Sequence, residues 1–276
     1  MTCKCKFLKL RASASLAAMA TEKTQQLKTV LITGGGSGIG LETAKLLMES
    51  SYRLVLLGRN RERLEEAARS LGGISERVSI MPCDLRQPAE INKTVQKVLG
   101  NYKGIYALVN NAGIYPLGGL SDTSEDSWNT AMEVNLRGPF LMIQAVAEAM
   151  AKNPNGGRIV NVSSTAGILP NHFALAYSVS KAGLIHLTRT VAKELGKDNI
   201  TVNCVCPGIV RTPLHEGYHS SRTDLEEFYA KRGASLPLGR IGETRDVAGA
   251  VRFFLSEDAA WVTGETLIVD GGRLLS

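Results

Sequence analysis

Two residues four positions apart, Tyr177 and Lys181, have the types and spacing of a proton-transfer pair. They stand at the start of a stretch whose apolar residues recur at helical spacing, so they would share one face of a helix. An ammonium group beside a phenol favours the phenolate and lowers a pKa that is ordinarily about 10. A phenol pKa shifted toward about 7 predicts a general acid for carbonyl reduction or a general base for alcohol oxidation.

A glycine-rich stretch, KTVLITGGGSGIG at residues 28–40, points to phosphate binding. The apolar run before it is typical of a buried parallel strand, and the residues after it have helical spacing. The glycines therefore lie on a strand-to-helix turn, where free N–H groups and the helix dipole attract a pyrophosphate. A purely structural turn is the alternative, because the spacing differs from the common G-x-G-x-x-G pattern. The candidate cofactor-binding residues of this turn are Gly34, Ser37, Gly38, Ile39 and Gly40.

The elements that must position these residues alternate between short β-like runs and helical patterns. This alternation predicts an α/β fold with repeated βαβ units, a parallel sheet and helices on both faces. Ser124 and Thr244 are the expected N-caps of two helices. The predicted strands are 29–32, 54–57, 78–81, 107–110, 158–162, 201–205 and 266–269, and the predicted helices are about 38–50, 60–71, 88–100, 124–152, 173–196 and 244–256.

Small or polar residues follow four of the later strands. Because the carboxyl ends of parallel strands meet at one edge of a sheet, we expect these residues and the glycine turn to line one crevice. They are Asp84, the run Asn110-Asn111-Ala112-Gly113, the pair Ser163-Ser164, and the pair Pro207-Gly208.

Taken in order, the glycine turn, the Asn-Asn-Ala-Gly run, Ser164, the Tyr177–Lys181 pair and Pro207-Gly208 resemble the short-chain dehydrogenase/reductase family. The resemblance covers roughly residues 28–272. It implies one Rossmann-type domain, residues 27–276, with a doubly wound sheet of about seven parallel strands. It also implies a nicotinamide cofactor and hydride transfer to or from a carbonyl or secondary alcohol.

The resemblance assigns roles residue by residue. Ser164, in preference to Ser163, would hold the substrate oxygen. Asn135 would support a water leading to Lys181, and the lysine would also bind the nicotinamide ribose; a buried polar residue bonded to backbone is the alternative for Asn135. Three further roles have turn or cap chemistry as their alternative: Asp84 for the adenine amine, Asn111 for the adenosine ribose side and Thr212 for the nicotinamide carboxamide.

Cofactor preference depends on the end of the second predicted strand. Gly58 stands where an acidic residue would bind the 2′-hydroxyl of NAD, and Arg59 follows it. A guanidinium can bind a 2′-phosphate through paired charged hydrogen bonds, so NADP(H) is expected in preference to NAD(H). Arg61 and Arg63 would add positive field or be solvated helix residues, and Ser37 stands where many NADP-using relatives carry a second basic residue.

Residues 237–271 look similar to 3-oxoacyl carrier-protein reductases, so a 3-oxoacyl thioester is the single substrate favoured. The span from Thr212 to Pro237 is longer than in that group, which leaves sugars, polyols and steroids as alternatives. Residues 213–236, here called the lid segment, are expected to be a mobile cover or an ordinary surface helical hairpin. A non-catalytic dinucleotide sensor or scaffold is the alternative from another functional class.

Charge and composition argue against several partners. The net charge is +6, but four cations lie in the first 20 residues, which leaves 28 cations against 26 acids elsewhere and gives no argument for nucleic acid. No apolar run is long enough to span a membrane. His215 and His219 lack a third metal ligand and are expected to be solvated, so no metal is predicted.

The closing VTGETLIVDGG resembles a family segment that packs between subunits, which implies a homotetramer or homodimer.

Residues 1–26 are expected to be a disordered tail or a targeting segment, and Met19 is an alternative start. The five cysteines have no CxxC spacing, and Cys204 and Cys206 would face the same side of a strand. Structural cysteines in a reducing compartment fit this pattern, so a cytoplasmic location is expected, with organelle targeting as the alternative.

Overall fold

A computed structural model describes residues 27–275, which form one sheet of seven parallel strands. The strand order is β3-β2-β1-β4-β5-β6-β7, so the chain winds outward from β1 in one direction and then crosses over to β4. A crossover of this kind leaves a crevice beyond the carboxyl ends of β1 and β4. The predicted doubly wound α/β fold is confirmed. The strands are β1 Lys28–Thr33, β2 Tyr52–Gly58, β3 Val78–Pro82, β4 Ala107–Asn110, β5 Gly157–Val162, β6 Ile200–Pro207 and β7 Thr266–Val269.

Helices cover both faces of this sheet, and alternate residues of each buried strand pack against opposite faces. In β1, Val30 and Ile32 belong to one apolar cluster and Leu31 belongs to the other. This two-residue period explains why the central strands are apolar throughout. The α-helices are α1 Gly38–Met48, α2 Arg61–Ser70, α3 Pro88–Asn101, α4 Glu125–Met132, α5 Gly138–Ala151, α6 Leu175–Leu195, α7 Arg222–Ala234 and α8 Thr244–Leu255.

The single helix predicted over 124–152 is divided by a π-helical turn at Glu133–Arg137. Ser124 caps α4 as predicted, because its hydroxyl accepts a 3.1 Å hydrogen bond from the Ser127 N–H. The prediction that Thr244 caps α8 is wrong. Glu243 is the N-cap, since its backbone N–H donates at 2.8 Å to Asp246, which completes a capping box and leaves Thr244 as the first helical residue.

The lid segment contains a short helical turn, Glu216–Tyr218, and then α7. Leu225 and Tyr229 of α7 are buried against Ile241, so this segment is packed onto the domain. It has the helical content of the surface-hairpin alternative, and its mobility stays a prediction.

Cys204 and Cys206 lie on one face of β6, buried, with their sulfur atoms 3.9 Å apart. Both are free thiols, as is the buried Cys83. Cys3, Cys5 and the tail or targeting segment predicted over 1–26 lie outside the described residues. Within residues 27–275, no helix combines the length and apolar character needed to cross a bilayer.

Candidate active site

The carboxyl ends of β1, β4, β5 and β6 meet at one cleft of about 940 Å³, and the lid segment forms its outer wall. A smaller cavity of about 560 Å³ adjoins it beyond β2 and β3. The cleft brings together most of the predicted site residues: Gly34, Ser37, Gly38, Ile39, Asn111, Gly113, Ser164, Tyr177, Lys181, Pro207, Gly208 and Thr212. Arg59 and Asp84 line the smaller cavity, whereas Gly40 and Asn135 line neither.

The glycine turn is shaped by close backbone contacts. Gly34 has a φ of +65°, and a Cβ atom on Gly40 would lie 2.5 Å from the carbonyl oxygen of Gly34. Gly40 therefore allows α1 to approach the turn, and it does not face the cleft. Ser37 is the N-cap of α1 without a side-chain cap hydrogen bond, which leaves the first N–H groups of the helix available to a ligand.

Asn111 and Thr33 fasten this turn to the end of β4. The Thr33 hydroxyl accepts from the backbone N–H groups of Asn111 and Ala112 at 3.0 and 3.1 Å. The Asn111 amide donates to the carbonyl oxygens of Thr33 and Gly34 at 3.0 and 3.3 Å. Asn111 thus positions the glycine turn, and its expected contact with a ribose stays a prediction.

Tyr177 lies in the first turn of α6, and its buried phenol is hydrogen-bonded to the side chain of Ser164. Ser164 follows β5, where its hydroxyl also accepts a 3.1 Å bond from the Ala166 N–H. The Ser163 hydroxyl instead donates at 2.8 Å to the backbone carbonyl of Lys181. The two serines therefore differ in role, and Ser164 is the one aimed at the phenol.

Burial governs the charges of Tyr177 and Lys181. It raises the pKa of the Tyr177 phenol to about 12 and lowers the pKa of Lys181 to about 8. The lysine ammonium lies 5.7 Å from the centre of the tyrosine ring and donates at 2.8 Å to the carbonyl of Val162. The predicted lowering of the phenol pKa by Lys181 is therefore wrong for this arrangement, because desolvation dominates and the opposing contribution comes from the hydrogen bond with Ser164.

Asn135 lies in the π-helical turn and is fully buried. Its side-chain oxygen accepts from the Ile114 N–H at 2.9 Å, and its amide donates to the Ile114 carbonyl at 2.9 Å and to Ser180 at 3.1 Å. This side chain ties the segment after β4 to α6, as the alternative of a backbone-bonded residue describes. Its support of a water near Lys181 stays a prediction.

Gly113 and Thr212 each lie close to another element of the site. A Cβ atom on Gly113 would lie 3.3 Å from the Asn135 side-chain oxygen and 3.5 Å from the Lys181 ammonium. One on Gly38 would lie 3.6 Å from the Thr212 methyl group, so Thr212 stands across from the start of α1. The expected contact of Thr212 with a carboxamide stays a prediction.

Asp84 forms a salt bridge with Arg86, with the closest N–O distance 2.6 Å, and this hydrogen-bonded guanidinium lowers the pKa of the Asp84 carboxyl. Its expected bond to an adenine amine stays a prediction, and the carboxylate would have to bind both the Arg86 guanidinium and the adenine.

Arg59 is exposed at the rim of the smaller cavity. Arg63 lines both cavities, and a Cβ on Gly36 would lie 3.2 Å from its Cγ atom. This contact of Arg63 with the glycine turn is not predictable from the sequence patterns. Asn60, the N-cap of α2, accepts a hydrogen bond from the Arg63 N–H and so holds Arg63 in the first turn of the helix.

Tyr115 is a cleft residue that the sequence analysis missed, and its position two residues after the Asn-Asn-Ala-Gly run was the available signal. Its ring meets that of Tyr177 edge-on with centroids 4.6 Å apart. On the lid side it meets the rings of Tyr218 at 5.7 Å and His215 at 6.2 Å. The Tyr177 phenol is thereby connected to the lid segment through one aromatic side chain.

The expectation that the lid histidines are solvated is wrong, because both rings are partly buried. His215 hydrogen-bonds the Tyr229 hydroxyl at 3.2 Å, and burial lowers its pKa. His219 pairs with Asp224 at 3.2 Å. Among residues 27–275, no group of three His, Cys, Asp or Glu side chains is arranged to hold a metal ion.

Comparison with known proteins assigns the chain to a family. A family model described as Enoyl-(Acyl carrier protein) reductase matches residues 34–273. The crystal structure of a short-chain type dehydrogenase/reductase from Mycobacterium marinum aligns with a TM-score of 0.83 and 30% identity, over 90% of this chain and 96% of that one. This chain belongs to the short-chain dehydrogenase/reductase family.

Two curated members of the family resemble the chain over nearly their whole length. The 3-oxoacyl-[acyl-carrier-protein] reductase of Thermotoga maritima is 36% identical over 249 residues, which is 90% of this chain and 98% of that protein. The (2S)-[(R)-hydroxy(phenyl)methyl]succinyl-CoA dehydrogenase subunit BbsD of Thauera aromatica is 36% identical over 250 residues, 91% of this chain and 98% of that protein. The chain is therefore an oxidoreductase, and the non-catalytic sensor or scaffold is set aside.

Short-chain dehydrogenase/reductases use NAD(P)(H), and the residues present here fit such a dinucleotide. The helix start at Gly38 offers N–H groups without a competing side-chain cap, and Gly34 and Gly113 leave no Cβ atom between their backbone and their neighbours. Arg59 and Arg63 supply positive charge at the smaller cavity. This donor set suits a ligand with several phosphate groups.

Proposed function

We propose that this enzyme is an NADPH-dependent reductase of 3-oxoacyl thioesters. The observation that carries this proposal is the position of the Tyr177 phenol in the cleft, hydrogen-bonded to the Ser164 side chain and with the Lys181 ammonium 5.7 Å from the centre of its ring. A protonated phenol is a proton donor, so the site is prepared to convert a ketone into an alcohol.

The residues divide the chemistry of this reduction. Ser164 donates a hydrogen bond to the carbonyl oxygen of the substrate, which orients it beside Tyr177. The bound dinucleotide supplies the hydride that forms the new C–H bond. As the C=O π bond breaks, Tyr177 transfers its proton to the oxygen and becomes a phenolate. Lys181, whose pKa of about 8 leaves it mostly protonated near pH 7, supplies the positive charge that stabilises this phenolate.

Residues at the far end of the crevice support NADPH in preference to NADH. Gly58 ends β2 without a carboxylate that would repel a 2′-phosphate, and Arg59 follows it at the rim of the smaller cavity. Arg63 adds a second guanidinium that lines both cavities. It offers the positive charge that Ser37 does not provide within the glycine turn.

The walls of the cleft support an acyl substrate over a sugar or polyol. Tyr115, Phe173, Tyr218 and Phe228 present aromatic rings to the space above Tyr177, and the apolar side chains of Leu117 and Leu214 add to the same lining. These aromatic and aliphatic side chains would pack against an acyl chain, and the polar side chains of Asn171, His172 and His219 complete the lining. The same walls favour a steroid-like ring system as the second candidate substrate.

The experiment is a substrate panel followed through the absorbance of the reduced cofactor. We expect NADPH to be oxidised with acetoacetyl thioesters, and Tyr177→Phe to lower kcat by about 10²- to 10⁴-fold while it binds NADPH normally. Turnover confined to sugar alcohols, polyols or steroids would overturn the substrate assignment. A wild-type enzyme that prefers NADH would overturn the cofactor assignment.

We also propose that the enzyme assembles as a homodimer or homotetramer. β7 is an edge strand in the described sheet, and exposed apolar side chains lie in it and in the segments that flank it in sequence, including Ile268, Leu275 and Trp261. An exposed strand edge with apolar neighbours is typical of a surface that another subunit covers. Light scattering after size-exclusion chromatography measures the oligomeric state, and a monomer would contradict this proposal.

A further inference from the structure

The charged side chains that line the cleft are positively charged. Among the described residues that line it, no aspartate or glutamate is found, whereas four carry cationic groups: Arg63, Lys181, Arg232 and Arg273. Three of the four have a role or contact already given by the structure. Arg63 lies at the glycine turn, Lys181 lies beside Tyr177, and Arg273 donates to the Thr165 hydroxyl at 3.1 Å.

Arg232 has no role assigned so far, and it lies in the last turn of α7, on the lid segment. Its guanidinium stands over the ring of Phe228, 5.5 Å from the ring centre. Within residues 27–275 it forms no ion pair, although two nearby arginines do: Arg211 pairs with Glu226, and Arg240 pairs with Asp246. A stacked guanidinium keeps its N–H donors free at its edge for an anion.

A row of rings joins Arg232 to the reacting centre. From Tyr177 the row passes to Tyr115 at 4.6 Å, to His215 at 6.2 Å and to Phe228 at 6.2 Å, and Arg232 covers Phe228. Every side chain of this row lines the same cleft. A substrate arm that starts at the reacting carbonyl beside Tyr177 can run along these rings and reach the guanidinium with its distant end.

We propose that Arg232 binds an anionic group that the substrate carries far from its reacting carbonyl. This inference rests on the proposed function, because a 3-oxoacyl thioester of a pantetheine carrier has a phosphate group at the far end of its pantetheine arm. A guanidinium binds phosphate or carboxylate through paired charged hydrogen bonds. Arg232 therefore determines specificity for acidic substrates and takes no part in proton transfer.

The position of Arg232 at a helix C-terminus is also favourable for the helix dipole. Lys231 occupies the same turn, carries the same charge and does not line the cleft, so it is the matched control. If the dipole alone explained the charge, Arg232→Ala and Lys231→Ala would have the same effect on every substrate.

The experiment compares two thioesters that share the reacting group. Acetoacetyl-CoA carries phosphate, and acetoacetyl-N-acetylcysteamine carries no charge. Arg232→Ala is expected to raise KM for the CoA ester by about 10-fold with little change in kcat, and to raise KM for the uncharged ester less than about 2-fold. Lys231→Ala is expected to leave both unchanged, and Arg232→Lys to restore part of the affinity. Thermal unfolding verifies that each variant is folded.

Two further measurements identify the anion. A keto acid whose carboxylate lies at the far end of its chain from the ketone tests a carboxylate as the occupant, and a loss on Arg232→Ala for this acid alone would assign the site to carboxylates. Titration of NADPH by fluorescence tests the dinucleotide, and a loss of NADPH affinity in Arg232→Ala would overturn the proposal by placing the cofactor at Arg232.

An equal KM change for charged and uncharged thioesters would also overturn the proposal. Failure of the wild-type enzyme to reduce any thioester would overturn the proposed function. The keto acid with the distant carboxylate would then decide the anion site, because an unchanged KM for it in Arg232→Ala would reject the site.

Discussion

The ring of Tyr115 packs edge-on against the ring of Tyr177, with 4.6 Å between their centroids, and its hydroxyl accepts a 3.1 Å bond from the Asn171 amide. An edge-to-face pair contributes about 0.5–1.5 kcal/mol beyond simple burial. We predict that Tyr115→Ala lowers kcat about 2- to 10-fold because the phenol of Tyr177 loses this support. Tyr115→Phe keeps the ring and is expected to retain kcat. Steady-state kinetics with both variants tests this, and equal losses would contradict a role for the ring.

Ser164 and Ser163 form a natural matched pair for mutation. Ser164→Ala removes the hydroxyl that bonds the Tyr177 phenol, and we expect kcat to fall by about 10²-fold or more. Ser163→Ala removes a 2.8 Å bond to the Lys181 carbonyl and a hydrogen bond with Cys206, so it is expected to cost about 0.5–1.5 kcal/mol of stability and to leave kcat nearly intact. Turnover and urea unfolding of both variants provide the test. The opposite pattern would transfer the substrate contact to Ser163.

Stability is predicted to depend on pH through Lys181. Its pKa in the folded protein, about 8, is below the ordinary value of 10.5, so between these pH values the unfolded chain binds more protons than the folded one. Unfolding free energy therefore gains a contribution that grows as pH rises from about 8 toward 10. Above pH 10 the raised pKa of Tyr177 acts in the opposite direction, because there the folded chain binds more protons.

Denaturant unfolding of the wild type and of Lys181→Met between pH 7 and 10 measures this contribution as a difference. The wild type is expected to gain stability relative to the variant as pH rises through this range. A constant difference would show that the lysine titrates at its ordinary pKa in the folded protein.

Arg59 is predicted to discriminate between the two cofactors. Arg59→Ala should weaken NADPH binding about 10-fold and leave NADH binding nearly unchanged, because only NADPH has the 2′-phosphate. Arg61→Ala is the control, since Arg61 pairs with Glu65 and lines neither cavity. Fluorescence titration with each cofactor measures both effects, and equal weakening of NADH would show that Arg59 does not recognise the phosphate.

Gly40 is predicted to be intolerant of any side chain. In Gly40→Ala the new methyl group would lie 2.5 Å from both the Gly34 carbonyl oxygen and the Asn111 amide, so the glycine turn must move. We expect weaker binding of both cofactors and a lower melting temperature. Gly100 in α3 has no neighbour within 4 Å of such a methyl group, and Gly100→Ala is expected to keep or raise stability. Comparable melting temperatures for the two variants would contradict this account.

Much of the site could be predicted because a parallel sheet gathers its strand ends at one edge. Ser164, Asn111 and Pro207 were located in this way from short-range patterns alone. Tyr115 and Arg63 were not, since their contacts with Tyr177 and the glycine turn depend on how segments distant in sequence pack together. The phenol pKa was mispredicted for a related reason: spacing reveals a nearby lysine but does not reveal how completely the fold removes Tyr177 from water.

The N-caps and the break between α4 and α5 also show what sequence patterns cannot predict. Ser124 and Thr244 have equally good N-cap chemistry, and only the carboxylate pair at Glu243 and Asp246 decides against Thr244. The π-helical turn at Glu133–Arg137 likewise has no proline or glycine within it to mark it. It is recognised by its backbone hydrogen bonds, such as the one from the Gly138 N–H to the Glu133 carbonyl oxygen.

That π-helical turn also sets the relative phase of the two helices it joins. A π turn holds one residue more than an α-helical turn, and one residue corresponds to a rotation of about 100° about the helix axis. With this relative rotation of the two helices, Ala131 before the turn and Met142 after it are both buried. Deleting one residue within the turn would restore a regular helix, but it would rotate one of these two buried faces toward solvent. The burial of both faces therefore depends on the extra residue.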